Sequence, residues 1–362
     1  MPAFEKAELL REFHWNPDWV TAVSFLGSTR RLFAGNRLGE ILEWELPEKL
    51  EPEEEGPDPI RSYHGHDNAI TKLLSTKDGK ELYSASLDHT LRRWDLETKP
   101  EKEAKIVLNA GTIYRQQFKR SGKKEEPVER TVSVCSKSKN LGGHEEWINA
   151  LVLSWDETLL VSGDDGGKVL IRERSTGKER QSWEVEGWVH ALAFSPDNKQ
   201  AVVSERRPLV FDSAQRQAIK LWDVEKGEEL KDLTEEYKKH YLSALAWSPD
   251  GETIAVGKGE EADGIIWLLD AKDGKQRKKL DPVHRYGVTD FAFHPDGKHL
   301  FSCGRDTVIR IWDFHEGKLV KELGKPRGGQ FKDWIHAISL NHDGTLLAAA
   351  DMAGQVNLWR LA

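Results

Sequence analysis

The sequence has few cysteines and no long apolar run. Its 362 residues include two cysteines, Cys135 and Cys303, and the net charge is −8 at neutral pH. Two widely separated thiols offer no disulfide framework and no metal cluster, which favours a reducing, cytoplasmic compartment. No apolar run approaches the roughly 18 residues that a membrane-spanning helix needs. Glu5 and Glu8 lie where a signal peptide would need apolar residues. A negative charge balance also disfavours a nucleic-acid surface.

Tryptophan, in contrast, is abundant, and much of it recurs within a repeat. The chain has 14 tryptophans against two methionines. An alternating apolar run ends in Trp-Asp or a variant seven times, 43 to 78 residues apart, at Trp44, Trp94, Arg172, Trp222, Leu269, Trp312 and Trp359. Turns such as Ser248-Pro249-Asp250-Gly251 precede most of these runs. Short alternating strands at regular spacing predict an all-β array of repeated units.

Two of the units share four polar or aromatic residues at identical spacing. In both, 22 positions separate His from Asp and 6 separate Asp from Trp. The two sets are His66, Ser84, Asp88 and Trp94, and His284, Ser302, Asp306 and Trp312. On these residues and the Trp-Asp endings, the chain resembles the WD-repeat β-propeller family. Its Ser-Pro-Asp-Gly turns resemble those of bacterial members.

The resemblance implies that each set of four residues, here called a tetrad, forms a buried hydrogen-bonded chain. Its recurrence favours this structural role over the catalytic triad that Ser, His and Asp would otherwise suggest. The third unit departs from the pattern, because it keeps His144 and Ser162 but has Gly166 and Arg172 where Asp and Trp are expected.

The resemblance and the repeat count together predict a single domain over 1–362, an all-β, seven-bladed β-propeller. The sequence ends soon after Trp359, so we expect the N-terminal segment Leu9–Phe13 to pair with the last blade and close the propeller.

Two charge-rich segments complicate the repeat. We expect an acidic loop at 47–59 and an insertion at about 97–130, both mobile. The segment Thr131–Ser136 is then the fourth strand of the second blade. The alternative is eight blades, with a degenerate blade at about 100–140.

A large aromatic residue recurs where the resemblance places the top of each innermost strand. Five of the seven positions carry one, and the predicted anchors for a partner are Trp19, Trp147, Trp188, Tyr241 and Trp334. Trp and Tyr are enriched in binding hot spots, and WD-repeat proteins commonly bind partners on this face. The alternative is that these rings pack on the neighbouring blade. The other two positions are Ala69 and Gly287.

Basic residues are expected on the same face. Enlarged loops at 205–218, 258–264 and 325–332 occur in blades four to seven. The residues predicted to pair with partner carboxylates are Arg206, Arg207, Arg305 and Lys332. The alternative is that these loops are solvated and have no role in binding.

The leading hypothesis is therefore a non-enzymatic, cytoplasmic scaffold that binds a protein or peptide on its top face. It would act as a monomeric propeller within a complex, with no catalytic residue, no metal, no cofactor, and no nucleic-acid or membrane partner. A second hypothesis is an enzyme or metal site in the central channel that uses His190 and His336. A third is an architectural module of a larger assembly that uses the charged opposite face.

Overall fold

The computed structural model describes residues 4–15, 18–50, 56–109, 127–206, 217–234, 237, 239–259, 263–325 and 334–361. Regular structure within these ranges consists of thirty strands and one 3₁₀ helix, Phe4–Lys6. No helix in this described part is long and apolar enough to cross a membrane. The residues form two compact units, one within 1–88, 92–140 and 327–362, the other within 89–91 and 141–326.

The first unit contains three sheets. Given in the order in which neighbouring strands hydrogen-bond, they are β1 (Glu8–His14), β30 (Gln355–Arg360), β29 (Leu346–Asp351) and β28 (Ile335–Leu340); β2 (Val20–Phe25), β3 (Arg31–Asn36), β4 (Ile41–Glu45), β5 (Arg61–Tyr63), β10 (Val128–Cys135) and β9 (Lys102–Leu108); and β11 (Lys139–Asn140), β8 (Leu91–Asp95), β7 (Glu81–Ser86) and β6 (Ile70–Ser75).

The second unit contains four antiparallel sheets of four strands, each in simple sequence order. They are β12 (Ile148–Leu153), β13 (Leu159–Asp164), β14 (Lys168–Glu173) and β15 (Glu179–Glu184); β16 (Trp188–Phe194), β17 (Gln200–Arg206), β18 (Gln217–Asp223) and β19 (Glu228–Asp232); β20 (Leu242–Trp247), β21 (Thr253–Lys258), β22 (Asp263–Asp270) and β23 (Gln276–Arg285); and β24 (Val288–Phe293), β25 (His299–Gly304), β26 (Val308–Asp313) and β27 (Lys318–Gly324).

These seven sheets confirm the predicted all-β, seven-bladed β-propeller. We number the blades 1 to 7 by their first strands, which are β2, β6, β12, β16, β20, β24 and β28. Within each unit, consecutive blades share one apolar core. Val23 of blade 1 packs in a cluster with Val356 of blade 7, and Ile171 of blade 3 packs with Phe194 of blade 4. The described strands make seven blades, so the eight-bladed alternative is not adopted.

The turn between the first and second strands owes its shape to an aspartate. In blade 4, the Ser195 hydroxyl donates to Asp197 Oδ1 at 2.6 Å, and the same carboxylate oxygen accepts the Lys199 N–H at 3.1 Å. The Ser195 hydroxyl also accepts the Gln200 N–H at 3.0 Å. Ser248 and Asp250 repeat these bonds in blade 5. The recurring Ser-Pro-Asp sequence thus satisfies the turn's polar backbone groups locally.

The N-terminal strand completes blade 7, as predicted. β1 pairs antiparallel with β30, from Glu8 opposite Arg360 to His14 opposite Gln355. Its Phe13 side chain enters the core shared by blades 7 and 1 and lies 5.6 Å from the Trp44 ring. Pairing β1 with β30 removes an exposed sheet edge and buries apolar area in one step.

The insertion after blade 2 extends blade 1, contrary to the prediction. Thr131–Ser136 was expected as the fourth strand of blade 2, but β10 pairs in parallel with β5 and antiparallel with β9. Ser133 N–H donates to the Ile60 carbonyl, and His64 N–H to the Cys135 carbonyl. β10 therefore covers the outer edge of blade 1, and the two-residue β11 serves blade 2 instead.

The expected mobility of the charged segments is also wrong in part. Lys102–Leu108 is a strand, and its Ile106 and Leu108 pack against the core shared by blades 7 and 1. In the acidic loop, Leu50 and Pro59 are buried. The remaining parts, 51–55 and 110–126, lie outside the described residues.

Truncation of the closing strand tests its contribution to stability. Phe13→Ala removes a buried ring and is expected to lower the free energy of unfolding by about 3–5 kcal/mol. Urea denaturation followed by tryptophan fluorescence measures the change. The matched control is Glu12→Ala, because Glu12 is the exposed neighbour on the same strand, and it should change stability by less than about 0.5 kcal/mol. Equal stability of the two variants would contradict closure by β1.

Candidate functional site

The tetrad of blade 2 is a buried chain of hydrogen bonds. The Trp94 indole donates to Ser84 Oγ at 2.8 Å, and His66 Nε2 lies 2.7 Å from the same oxygen. His66 Nδ1 lies 2.8 Å from Asp88 Oδ2. The serine is 0% exposed, so its hydroxyl is inaccessible to a substrate. This geometry supports the structural role over a catalytic triad.

Blade 6 repeats this arrangement. The Trp312 indole donates to Ser302 Oγ at 2.9 Å, with His284 Nε2 at 2.8 Å from that oxygen. His284 Nδ1 is 2.9 Å from Asp306. Burial alone would raise the pKa of Asp306, but hydrogen bonding and charge from His284 and Arg310 lower it to about 2. The carboxylate therefore stays ionised and anchors the chain of side chains.

Blade 3 has a third His–Ser–Asp chain, which the sequence analysis missed. His144 lies 2.6 Å from both Ser162 Oγ and Asp164 Oδ2. Asp164 comes two positions before Gly166, where the aspartate was expected. It also accepts the Gly166 and Lys168 backbone N–H groups, each at 2.9 Å. Arg172 replaces the tryptophan and donates to the Gly142 carbonyl at 2.5 Å.

The predicted aromatic anchors begin or precede the first strands, and each is tied to the residue 18 positions later. In blades 1, 3 and 5, the later residue donates its backbone N–H to the anchor's carbonyl. The pairs are Arg37 with Trp19, Asp165 with Trp147, and Gly259 with Tyr241. In blade 4, Trp188 lies opposite Arg206 in the strand register. The repeat therefore places the residue 18 positions later in the chain next to each anchor.

In blades 4 and 5 the basic partner is stacked between aromatic rings. The Arg206 guanidinium carbon lies 4.8 Å from the Tyr241 ring centre and 5.7 Å from that of Trp188. Tyr241 Oη is 3.2 Å from His190 Nδ1. Burial and the Arg206 charge lower the pKa of His190 to about 4. His190 is therefore neutral at neutral pH, and Trp188 and Tyr241 are partly covered by this packing.

Blade 1 has a similar stack in the other unit. The Arg37 guanidinium carbon lies 4.5 Å from the Trp19 ring centre, and the His336 ring stacks on Trp19 at 6.0 Å. Sequence analysis missed Arg37, although its separation from Trp19 equals that of Arg206 from Trp188. Trp334 is half-buried. The two histidines of the channel hypothesis thus contact aromatic rings, His190 in the second unit and His336 in the first.

Trp147 differs from the other anchors in its exposure and in its charged neighbours. It is 48% exposed, while the other four anchors are half-buried. Its partner Asp165 accepts a hydrogen bond from Asn149 at 2.6 Å. Burial, opposed by the Asn149 hydrogen bond and reinforced by the charges of Asp164 and Glu146, raises the pKa of Asp165 to about 6. Trp147 thus follows Glu146 in the chain and is bonded through its backbone to Asp165, whose carboxylate interacts with that of Glu146.

Gly287 explains why blade 6 has no aromatic anchor. Its φ is +108°, and a Cβ at this position would lie 1.7 Å from the Gly259 carbonyl oxygen. No side chain fits there. The Arg305 backbone N–H donates to the Gly287 carbonyl at 3.1 Å, and its side chain is half-buried. Arg207 and Lys332, together with most of the three enlarged loops, lie outside the described residues.

Comparison with known proteins agrees with the fold. The family model "WD domain, G-beta repeat" matches residues 57–95, 135–171, 231–270 and 274–313. These observations define a β-propeller built from WD repeats. These four segments of the chain are WD repeats.

Similar proteins include the small ribosomal subunit protein RACK1 of Caenorhabditis elegans, with 23% identity over 70% of this chain and 94% of that protein. RACK1y of Oryza sativa subsp. japonica is 25% identical over 82% of this chain and 94% of its own length. The target of rapamycin complex subunit wat1 of Schizosaccharomyces pombe is 24% identical over 48% and 49%, respectively. The bacterial likeness of the turns stays a prediction.

Removal of a tetrad hydroxyl should destabilise the fold measurably. Ser302→Ala deprives the Trp312 indole and His284 of their shared partner, and leaving buried groups unpaired costs about 1–3 kcal/mol. The drop in urea midpoint is the readout, with the exposed Ser136→Ala as control. Unchanged stability in Ser302→Ala would show that the tetrad contributes nothing to the fold.

Proposed function

We propose that this protein is a non-enzymatic scaffold whose blade 3–5 surface binds a basic segment of a partner protein. The blade 3–5 surface consists of Glu146, Trp147, Asp165, Trp188, Arg206 and Tyr241. The observation that carries the proposal is the 48% exposure of Trp147 beside a half-buried carboxylate. The small ribosomal subunit and target of rapamycin complex relatives, named as parts of assemblies, also support a role in a complex.

An exposed tryptophan at the start of a strand suits protein binding. A Trp ring offers a large contact area with few rotatable bonds, and Trp is enriched among residues that dominate binding energy. The scaffold around Trp147 is firm, because the His144–Ser162–Asp164 chain and the Asp165 backbone bond fix both of its neighbouring segments. The backbone of Trp147 is therefore held in place before a partner arrives, which lowers the entropic cost of binding.

The charges around Trp147 favour a cationic partner group. Glu145 and Glu146 are exposed, and the Asp165 carboxylate lies close enough to Glu146 for the two charges to interact. A partner Lys or Arg would lie over the indole face and pair with these carboxylates. This proposal reverses the charges of the sequence prediction, in which basic residues of this chain bind partner carboxylates. Arg206 is stacked on its own chain's rings, and its charge reaches Asp165.

The other predicted contacts have a secondary place in the proposal. Trp19 and Trp334, in the first unit, are half-buried, and Trp19 is covered on its faces by Arg37 and His336. Arg305 is half-buried. We propose these residues as further contacts for a larger partner. A cytoplasmic location and a monomeric propeller within a complex also stay predictions.

Substitution of Trp147 tests the anchor. The probe is a fluorescein-labelled peptide of alternating Arg and Ala residues, measured by fluorescence anisotropy at low salt. Trp147→Ala should weaken binding about tenfold, the value of one cation–π contact near 1.4 kcal/mol. Trp155→Ala is the matched control, because Trp155 is 38% exposed at the turn after the same strand. A Glu-Ala peptide that binds equally well, or equal loss in both variants, would refute the proposal.

The pKa of Asp165 predicts how binding depends on pH. Above pH 6 the carboxylate is ionised and attracts the cationic peptide, whereas below pH 6 it is neutral. Affinity at pH 5 should therefore be up to about tenfold lower than at pH 7.5. Asp165→Asn should bind more weakly at pH 7.5 and lose most of this pH dependence. A wild-type affinity that rises on acidification would have the wrong sign for the proposed contact.

A further inference from the structure

Two buried histidines converge on one carboxylate at the first turn of blade 6. His294 and His299 flank the turn between β24 and β25 and are 4% and 6% exposed. His294 Nδ1 lies 3.1 Å from Asp296 Oδ1, and His299 Nδ1 lies 2.6 Å from Asp296 Oδ2. One ligand atom from each of the three residues can be chosen so that all lie within 4.8 Å of one another. This cluster does not take part in the blade 3–5 surface.

The two histidines are not needed to form this turn. Blades 4 and 5 have Ser195 and Ser248 at the place of His294, and Gln200 and Thr253 at the place of His299. The aspartate caps the turn of blade 6 as it does elsewhere, since Asp296 Oδ1 accepts the backbone N–H groups of Lys298 and His299. The imidazoles are therefore an addition to a turn that other blades build without them.

The Nδ1 atoms of both histidines face the Asp296 carboxylate. His294 Nδ1 also accepts the Asp296 backbone N–H at 3.2 Å, so this nitrogen carries a lone pair. A bound divalent cation would take the place of the hydrogen-bond contacts that the two imidazoles make here.

We propose that His294, Asp296 and His299 bind a first-row divalent transition-metal ion, for which Zn²⁺ is the best match. Two imidazoles with one carboxylate are typical zinc donors, whereas Ca²⁺ and Mg²⁺ prefer oxygen ligands. Bonds of about 2.0–2.1 Å in tetrahedral geometry place ligand atoms about 3.3 Å apart. The 3.1 Å between His294 and Asp296 is close to this value, whereas the 2.6 Å between His299 and Asp296 would have to widen when the ion binds. The fourth position is open to water, because the Asp296 side chain is 22% exposed.

The ion would link the end of β24 to the start of β25 across this turn. The buried Asp313 carboxylate adds negative charge near His299, offset by Lys298 at 3.1 Å. This proposal goes beyond the sequence analysis, which assigned no metal to the chain. It also differs from the channel hypothesis, because it involves neither His190 nor His336.

Zinc titration of the full chain tests the site. Metal-stripped protein is titrated with Zn²⁺ by calorimetry, and with Co²⁺ by its visible absorption, which reports coordination geometry directly. We expect one equivalent bound and a higher thermal midpoint in the presence of zinc. His294→Ser and His299→Thr introduce the residues that blade 5 has at these places, so these variants should keep the fold. Their affinity for zinc should fall at least about 100-fold.

Two controls make the outcome decisive. His342→Ala alters an exposed histidine in the corresponding turn of blade 7 and should bind zinc like the wild type. His190→Ala and His336→Ala should do the same. Absence of zinc binding at micromolar concentration would overturn the proposal. So would unchanged affinity in His294→Ser and His299→Thr, and loss confined to the His190 or His336 variants would support the channel site instead.

Discussion

The sharing of apolar faces between consecutive blades is the constraint on which the rest of the structure depends. A four-stranded sheet has two faces and cannot bury both by itself. Within each unit, residues such as Val203 and Ile219, on neighbouring strands of blade 4, belong to two different cores, one shared with blade 3 and one with blade 5. In the same way, β1 covers the open edge of blade 7, and β10 with β9 covers the outer edge of blade 1. Stability therefore rests on neighbours rather than on any single blade.

Hydrogen-bonded sets of polar side chains fix the geometry of the blades, which the apolar cores alone do not specify. Hydrophobic burial is non-directional, whereas a fully paired His–Ser–Asp chain has one arrangement. Among the described residues, blades 2, 3 and 6 carry such a chain, and blade 3 builds it with Asp164 at the end of its second strand. Asn36 and Asp351 occupy the same strand position in blades 1 and 7, where they accept the same two turn N–H groups. An aspartate or asparagine at the end of the second strand thus shapes this turn in blades 1, 3 and 7.

This firm framework makes local variation possible at the strand ends and turns. The backbone of each anchor lies beside that of the residue 18 positions later, and this pairing does not constrain which side chains the two residues carry. Blade 1 presents Arg37, blade 3 presents Asp165 and blade 6 has Gly287 with no ring. The first turn varies in the same manner, since an aspartate caps it while His294 replaces serine. Function in this chain is therefore proposed where the repeat leaves side chains free to differ.

The sequence by itself determined most of the strands, the turns, the blade count and two tetrads, because each follows from periodicity and spacing within one repeat. The strand β9, in the charge-rich insertion, was not among them. The sequence also identified the N-terminal strand that completes blade 7. The tertiary structure alone decided the partner of β10, since an alternating run specifies a strand but not the sheet edge that accepts it. The tertiary structure also decided exposure. Trp147 and Trp188 occupy equivalent positions, but only Trp188 is packed against Arg206, which also stacks on Tyr241. Contacts between residues distant in sequence leave no local sequence pattern. These contacts decide whether the ring of an anchor is exposed or packed.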